Sequence, residues 1–177
     1  MAGWVRLGAV ILLLGLTPVP SVAADDPVGE AVREASGRFG VPASWITALI
    51  RTESAGDARA LSSKGAIGLM QVMPGTYAEL RHRHGLGPDP WDIRDNILAG
   101  AAYLRELQDR YGPRGASAAY NAGPARYAEH LATGKPLPVE TRAYLARLAL
   151  AGDGPSPTVT PDWRQAPLFA GRWSSRR

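Results

Sequence analysis

The chain has 177 residues, 45% of them hydrophobic and 20% charged, an ordinary globular balance that excludes wholesale disorder. It holds no cysteine, which excludes disulfides, thiol catalysis and thiolate metal sites. The net charge of +4 comes from the two ends: residues 25–153 carry 15 basic and 15 acidic side chains, a neutral body poorly suited to a phosphate backbone, so no nucleic-acid partner is expected.

Arg6 precedes the apolar run Leu7 to Leu16, Pro18 and Pro20 break the chain, and Val22-Ala23-Ala24 supplies small residues before Asp25-Asp26. This is the layout of a secretory signal peptide over residues 1–24, with cleavage expected after Ala24 and a periplasmic destination. The apolar run is short for a membrane crossing. An uncleaved N-terminus is the one membrane attachment that the pattern leaves open, and no cysteine is present to accept a lipid.

The next segments read as helices. Val28, Val32, Ala35 and Phe39 share one helical face, which Gly40 ends. Pro42 suits the first turn of a second helix, with Ile46, Leu49 and Ile50 on its apolar stripe. Glu53 falls seven residues after Ile46, on that same stripe. Residues 55–75 are rich in Gly and Ser and read as an ordered loop. Thr76-Tyr77-Ala78-Glu79 fits a capping box opening a helix to about His84. Ile93, Ile97, Ala101, Leu104, Leu107 and Tyr111 form a long stripe closed by Gly112-Pro113. Short helices follow over Ala116–Tyr120 and Pro124–Leu131, the latter stopped by Gly134, and Pro138 opens a last helix running to Gly152. With β-branched residues sparse, residues 25–152 are expected to form one mainly α domain. Residues 153–177 are a Pro- and Arg-rich tail that either packs on the domain or meets a partner.

Glu53 is the first chemical anomaly. A glutamate is seldom buried unless paired or functional, and an apolar setting favours its neutral acid form, as a general acid requires. The competing explanation is a salt bridge to Arg51 or Arg59, or a place at the edge of the stripe. Gly65 to Pro74 packs glycines, Gln71, Met70 and Met73 into a loop with few charges. It would suit close approach of a neutral polar ligand, or simply a tight core loop. Ala119-Tyr120-Asn121-Ala122-Gly123 sets a phenol beside an amide at a helix end, where Asn121 also suits local backbone bonding. Asp57, Asp92, Asp95 and Glu140 offer further carboxyls, but none stands out as a nucleophile or base, and helix N-termini account for Asp92, Asp95 and Glu140.

Glu53-Ser54, Gly68-Leu69-Met70-Gln71, Asn96-Ile97 with Gly100 and Tyr103-Leu104, Ala119 to Gly123, and Glu140-Thr141 with Tyr144, in that order, resemble the soluble lytic transglycosylase domain. That family comprises goose-lysozyme-like enzymes that cleave peptidoglycan, and the resemblance spans about residues 28–150. It implies a lysozyme-like helical domain with an active-site groove, Glu53 as acid then base, and Ser54, Met70, Gln71, Met73, Tyr120, Asn121 and Glu140 lining or supporting the groove. Tyr120 would position the acid, and Gln71 would orient N-acetyl groups.

The implied substrate is the peptidoglycan glycan strand. Its β-1,4 bond between N-acetylmuramic acid and N-acetylglucosamine would be cut without water to give 1,6-anhydro-muramyl ends, with no metal or cofactor required. By the same analogy, a small enzyme of this kind can accompany a type IV secretion or conjugation apparatus. The competing expectations are a hydrolysing muramidase on the same fold, a non-catalytic peptidoglycan-binding module, and a scaffold tethered by an uncleaved N-terminus.

Overall fold

The computed structural model describes residues 26–150, so the expected signal segment and the C-terminal tail lie outside the described residues. Six helices follow in order: α1 (Pro27–Phe39), α2 (Ala43–Ser54), α3 (Pro74–His84), α4 (Ile93–Ala122), α5 (Pro124–Thr133) and α6 (Val139–Leu150). Among the described residues the β pairing is limited to two isolated bridges, Leu61 with Ile67 and Ile67 with Val72, so the domain is mainly α as expected.

Local chemistry accounts for most boundaries. The Asp26 carboxylate accepts from the Gly29 amide at 2.9 Å with Pro27 in the first turn, and Gly40 closes α1 in the left-handed conformation. Asp92 caps α4 by accepting from the Asp95 amide at 2.9 Å, the structural role expected of it.

Two boundaries differ from the sequence expectation. Helix α3 begins at Pro74 rather than at a Thr76 cap, because a proline needs no intrahelical N–H partner in the first turn; Thr76 lies inside the helix. The break at Gly112 is real (φ 71°, ψ 169°), but helical structure resumes at once through Pro113, so the segment before Tyr120 starts earlier than Ala116.

Helix α4 is the central element. Ile97, Leu98, Ala101 and Leu104 are fully buried, and α1, α3, α5 and α6 all pack against it. Between α2 and α3 the loop of residues 55–73 is pinned to α4 by Asn96. Its Oδ1 accepts from the Met70 amide at 2.9 Å, while its Nδ2 donates to the carbonyls of Ile67 at 3.0 Å and Pro90 at 2.9 Å. Two glycines make this approach possible. A Cβ on Gly100 would lie 2.6 Å from the Met70 Cβ. One on Gly68, whose φ is +74°, would lie 2.6 Å from the Asn96 amide. The loop thus lies against α4, beside the end of α2 that carries Glu53.

Candidate active site

Glu53 projects from the last turn of α2, which ends at Ala55 in the left-handed conformation. Tyr144 reaches it from α6, which packs on both α2 and α4. One Glu53 carboxyl oxygen, Oε1, is buried without a hydrogen-bond partner, and so is the Tyr144 hydroxyl. The hydroxyl lies near enough to favour the carboxylate, although the pair falls short of regular hydrogen-bond geometry. Desolvation outweighs that help and the positive charge of Arg147, pushing the Glu53 pKa up to about 7. Its place at the negative end of the α2 dipole works in the same direction. Glu53 is thus a half-buried acid that keeps its proton close to neutrality.

The carboxyl faces a cavity of about 170 Å³ also lined by Ser62, Lys64, Gln71, Met73, Tyr120, Asn121 and Glu140. A larger cavity of about 530 Å³ shares Lys64, Gln71, Met73, Tyr120 and Asn121 with it and runs on past Thr76, Tyr103 and Gly123 to Arg126. The two form one groove, with the acid in its narrower part. Its lining mixes an exposed Met73 (44% exposed), tyrosine rings and uncharged polar groups, as a sugar polymer would need.

Several sequence-selected residues meet here, in roles that differ. Tyr120 lines both cavities, but its hydroxyl donates to the Met70 carbonyl at 2.8 Å, so the phenol facing the acid is that of Tyr144. Burial and the neighbouring Glu53 and Tyr103 hold the Tyr120 phenol protonated. Gln71, at φ 48°, spends its Nε2 on the carbonyls of Ala60 and Gly68, both at 3.0 Å, and so holds the loop in shape. Met70 is fully buried: it supports the groove from beneath, packing against Gly100, and does not line it. Ser54 donates to the Ile50 carbonyl at 3.0 Å and accepts from the Gly56 amide at 3.2 Å, closing α2 directly behind Glu53.

Glu140, at the start of α6, is exposed and pairs with Lys64 at 2.9 Å across the mouth of the Glu53 cavity. That lysine holds its carboxyl below the usual range. The cavity therefore holds two carboxyls driven in opposite directions, one towards the acid and one towards the anion. Asp57 is spent on a turn, accepting from the Arg59 amide at 2.8 Å. Among the described residues no three His, Asp or Glu side chains converge as a metal site would require.

Sequence reasoning did not select Lys64, Tyr103 or Arg126 as site residues, and it gave Tyr144 no role at the acid. For Tyr144 a signal existed: with Thr141 and Leu148 it forms the buried stripe of α6, and a hydroxyl there needs a partner. Lys64 and Arg126 carry no comparable local signal.

The chain matches the family model described as Transglycosylase SLT domain over residues 30–137. It is 39% identical over 83 residues to a transglycosylase of Enterobacteria phage PRD1, a match covering 47% of this chain and 29% of that protein. A second relative, the soluble lytic murein transglycosylase of Escherichia coli strain K12, is 38% identical over 93 residues, 49% of this chain and 14% of that one. The matches thus span less than a third of either relative's length. Among solved structures, an inactive glutamate-to-glutamine mutant of the lytic transglycosylase Slt from Pseudomonas aeruginosa superposes with a TM-score of 0.61 at 34% identity. That superposition covers 70% of this chain and 23% of that one.

Proposed function

The chain belongs to the transglycosylase SLT domain family, and on that premise we propose that it is a lytic transglycosylase cleaving the β-1,4 bond between N-acetylmuramic acid and N-acetylglucosamine in peptidoglycan. The observation that carries the reading is Glu53: a carboxyl at a groove, one oxygen buried and unpartnered, with its pKa near 7.

In the proposed sequence the protonated Glu53 donates to the glycosidic oxygen as the bond from that oxygen to the muramic anomeric carbon breaks. The muramic N-acetyl group stabilises the positive charge developing at that carbon. The Glu53 carboxylate then takes the proton from the same sugar's 6-hydroxyl, whose oxygen bonds to the anomeric carbon and closes a 1,6-anhydro ring. No water is consumed and the acid ends protonated. Tyr144, facing the carboxyl, would help hold it and support its anionic form between the two proton transfers. Tyr120 would hold the loop through Met70 and offer its ring to the sugar. Asn121 is left to orient N-acetyl groups, because the Gln71 amide nitrogen is engaged.

A second reading has its own observation. The anionic Glu140 lines the same cavity and would serve a hydrolysing muramidase as its base. Product masses separate the two, since hydrolysis adds one water per cut. The proposed setting is extracytoplasmic, reached through residues 1–24. A secretion or conjugation apparatus is the proposed partner, to be tested by co-purification from envelope fractions.

The deciding experiment is digestion of purified sacculi followed by mass analysis of the muropeptides. Wild type is expected to release anhydro-muramyl products, and Glu53→Gln to lose at least about 100-fold of the rate while staying folded. Cleavage at the wild-type rate by Glu53→Gln would exclude the assignment.

A further inference from the structure

Beyond the groove lies another cavity of about 300 Å³, lined by Arg126, Glu129, His130, Lys135 and the run Pro136-Leu137-Pro138. Arg126 lines both it and the large cavity of the groove, so the two adjoin at this residue. Arg126 forms no ion pair or side-chain hydrogen bond among the described residues, although it lies near enough to Glu140 to help hold that carboxyl down.

The remaining wall is built rather than loose. His130 Nδ1 faces the Lys135 carbonyl at 2.6 Å, which requires the proton on Nδ1, and the Lys135 amide donates to Thr133 Oγ1 at 3.2 Å. Gly134 closes α5 in the left-handed conformation, and two prolines stiffen the next three residues. Lys135 pairs with Glu129 at 3.0 Å, but both are well exposed, so this bridge is weak and a competing carboxylate can displace it.

We propose that Arg126 and this cavity bind carboxylates of the short peptides carried by the glycan, an inference that rests on the peptidoglycan reading. The peptide-bearing sugar backbone offers neutral hydroxyls and amides, which accept only single, uncharged hydrogen bonds from a guanidinium, whereas a carboxylate matches its planar fork with two parallel charge-assisted ones. The size agrees as well: the space is at the lower end of small-ligand sites and holds a few residues of peptide beside a strand lying in the groove. Arg126 then reads the substituent on the strand and biases where along it the enzyme works.

The test is an NMR titration of the full chain with the stem tetrapeptide released from sacculi by an amidase, and with the same peptide after its carboxyls are amidated. The free peptide is expected to shift the resonances of the His130–Lys135 turn, and the amidated peptide to leave them in place. Arg126→Ala, its fold checked by its own spectrum, is expected to weaken binding about tenfold or more, and Arg126→Lys to fall between, keeping the charge without the fork. Absence of shifts with the free peptide, equal binding of the amidated one, or undiminished affinity of Arg126→Ala would each overturn the site. Because binding is read without cleavage, a chain that releases nothing from sacculi would defeat the catalytic reading and leave this result to stand or fall alone.

Discussion

At the residue scale the proposed role of Glu53 implies both a pH dependence of activity and a cost to the fold. In the proposed mechanism catalysis starts from the protonated acid, so turnover is expected to fall as pH rises through about 7, where the carboxyl ionises. Tyr144 moderates this: its hydroxyl favours the anion, so Tyr144→Phe should move the alkaline limb of the pH–rate profile upward. Pre-steady-state rates measured between pH 5 and 9 check the shift, and an unmoved limb would mean that the phenol does not act on the acid. The same burial links stability to pH. Glu53 ionises near 4.5 when exposed and near 7 in the folded chain, so between those values the folded state binds more proton and stability falls as pH rises, levelling off above 7. The cost at the plateau is of the order of 3 kcal/mol. Glu53→Gln removes it: thermal unfolding should find the variant more stable than wild type at pH 8, and the two should converge near pH 4.

The element that matters most is the loop of residues 55–73, which is ordered through α4 more than through itself. Asn96 supplies three hydrogen bonds that nothing else on α4 replaces. Asn96→Ala leaves the buried Met70 amide and the half-buried Pro90 carbonyl unpaired, the Ile67 carbonyl keeping its bond from the Val72 amide, and is expected to cost about 3 kcal/mol in urea unfolding. Activity should fall with it, because Met70 anchors Tyr120 through its carbonyl. Gly100→Ala tests the same contact from the other side: its new methyl meets the Met70 side chain and must displace the loop. Helix α5 is of another kind. It has no buried residue, and Leu131 is exposed, so its contribution lies in carrying Arg126 and His130 to the edge of the groove rather than in filling the core.

Across the whole molecule, the acid depends on helices that are distant in sequence. Tyr144 and Glu140 ride on α6, which is anchored by the buried Leu148 and Thr141. Leu148→Ala touches nothing in the groove, yet it should destabilise the chain by about 3 kcal/mol. If α6 is held in place by that contact, turnover falls and the alkaline limb shifts together; calorimetry beside the pH–rate profile reads both effects.

Most helix positions, the helix ends at Asp92, Gly40 and Gly134, and the presence of a carboxyl on the buried stripe of α2 were legible in the sequence. Each follows from 3.6-residue periodicity or from the chemistry of a few adjacent residues. The capping box at Thr76 misled because Pro74 starts the helix as well and lies nearer the loop. Which phenol faces Glu53, that Tyr120 and Gln71 are spent on backbone carbonyls, and that Lys64 pairs with Glu140 in the cavity of the acid were decided by the tertiary structure alone. Periodicity tells which face of a helix is buried; the groups that meet it, and the pKa that results, depend on how separate helices pack, and no local pattern encodes that.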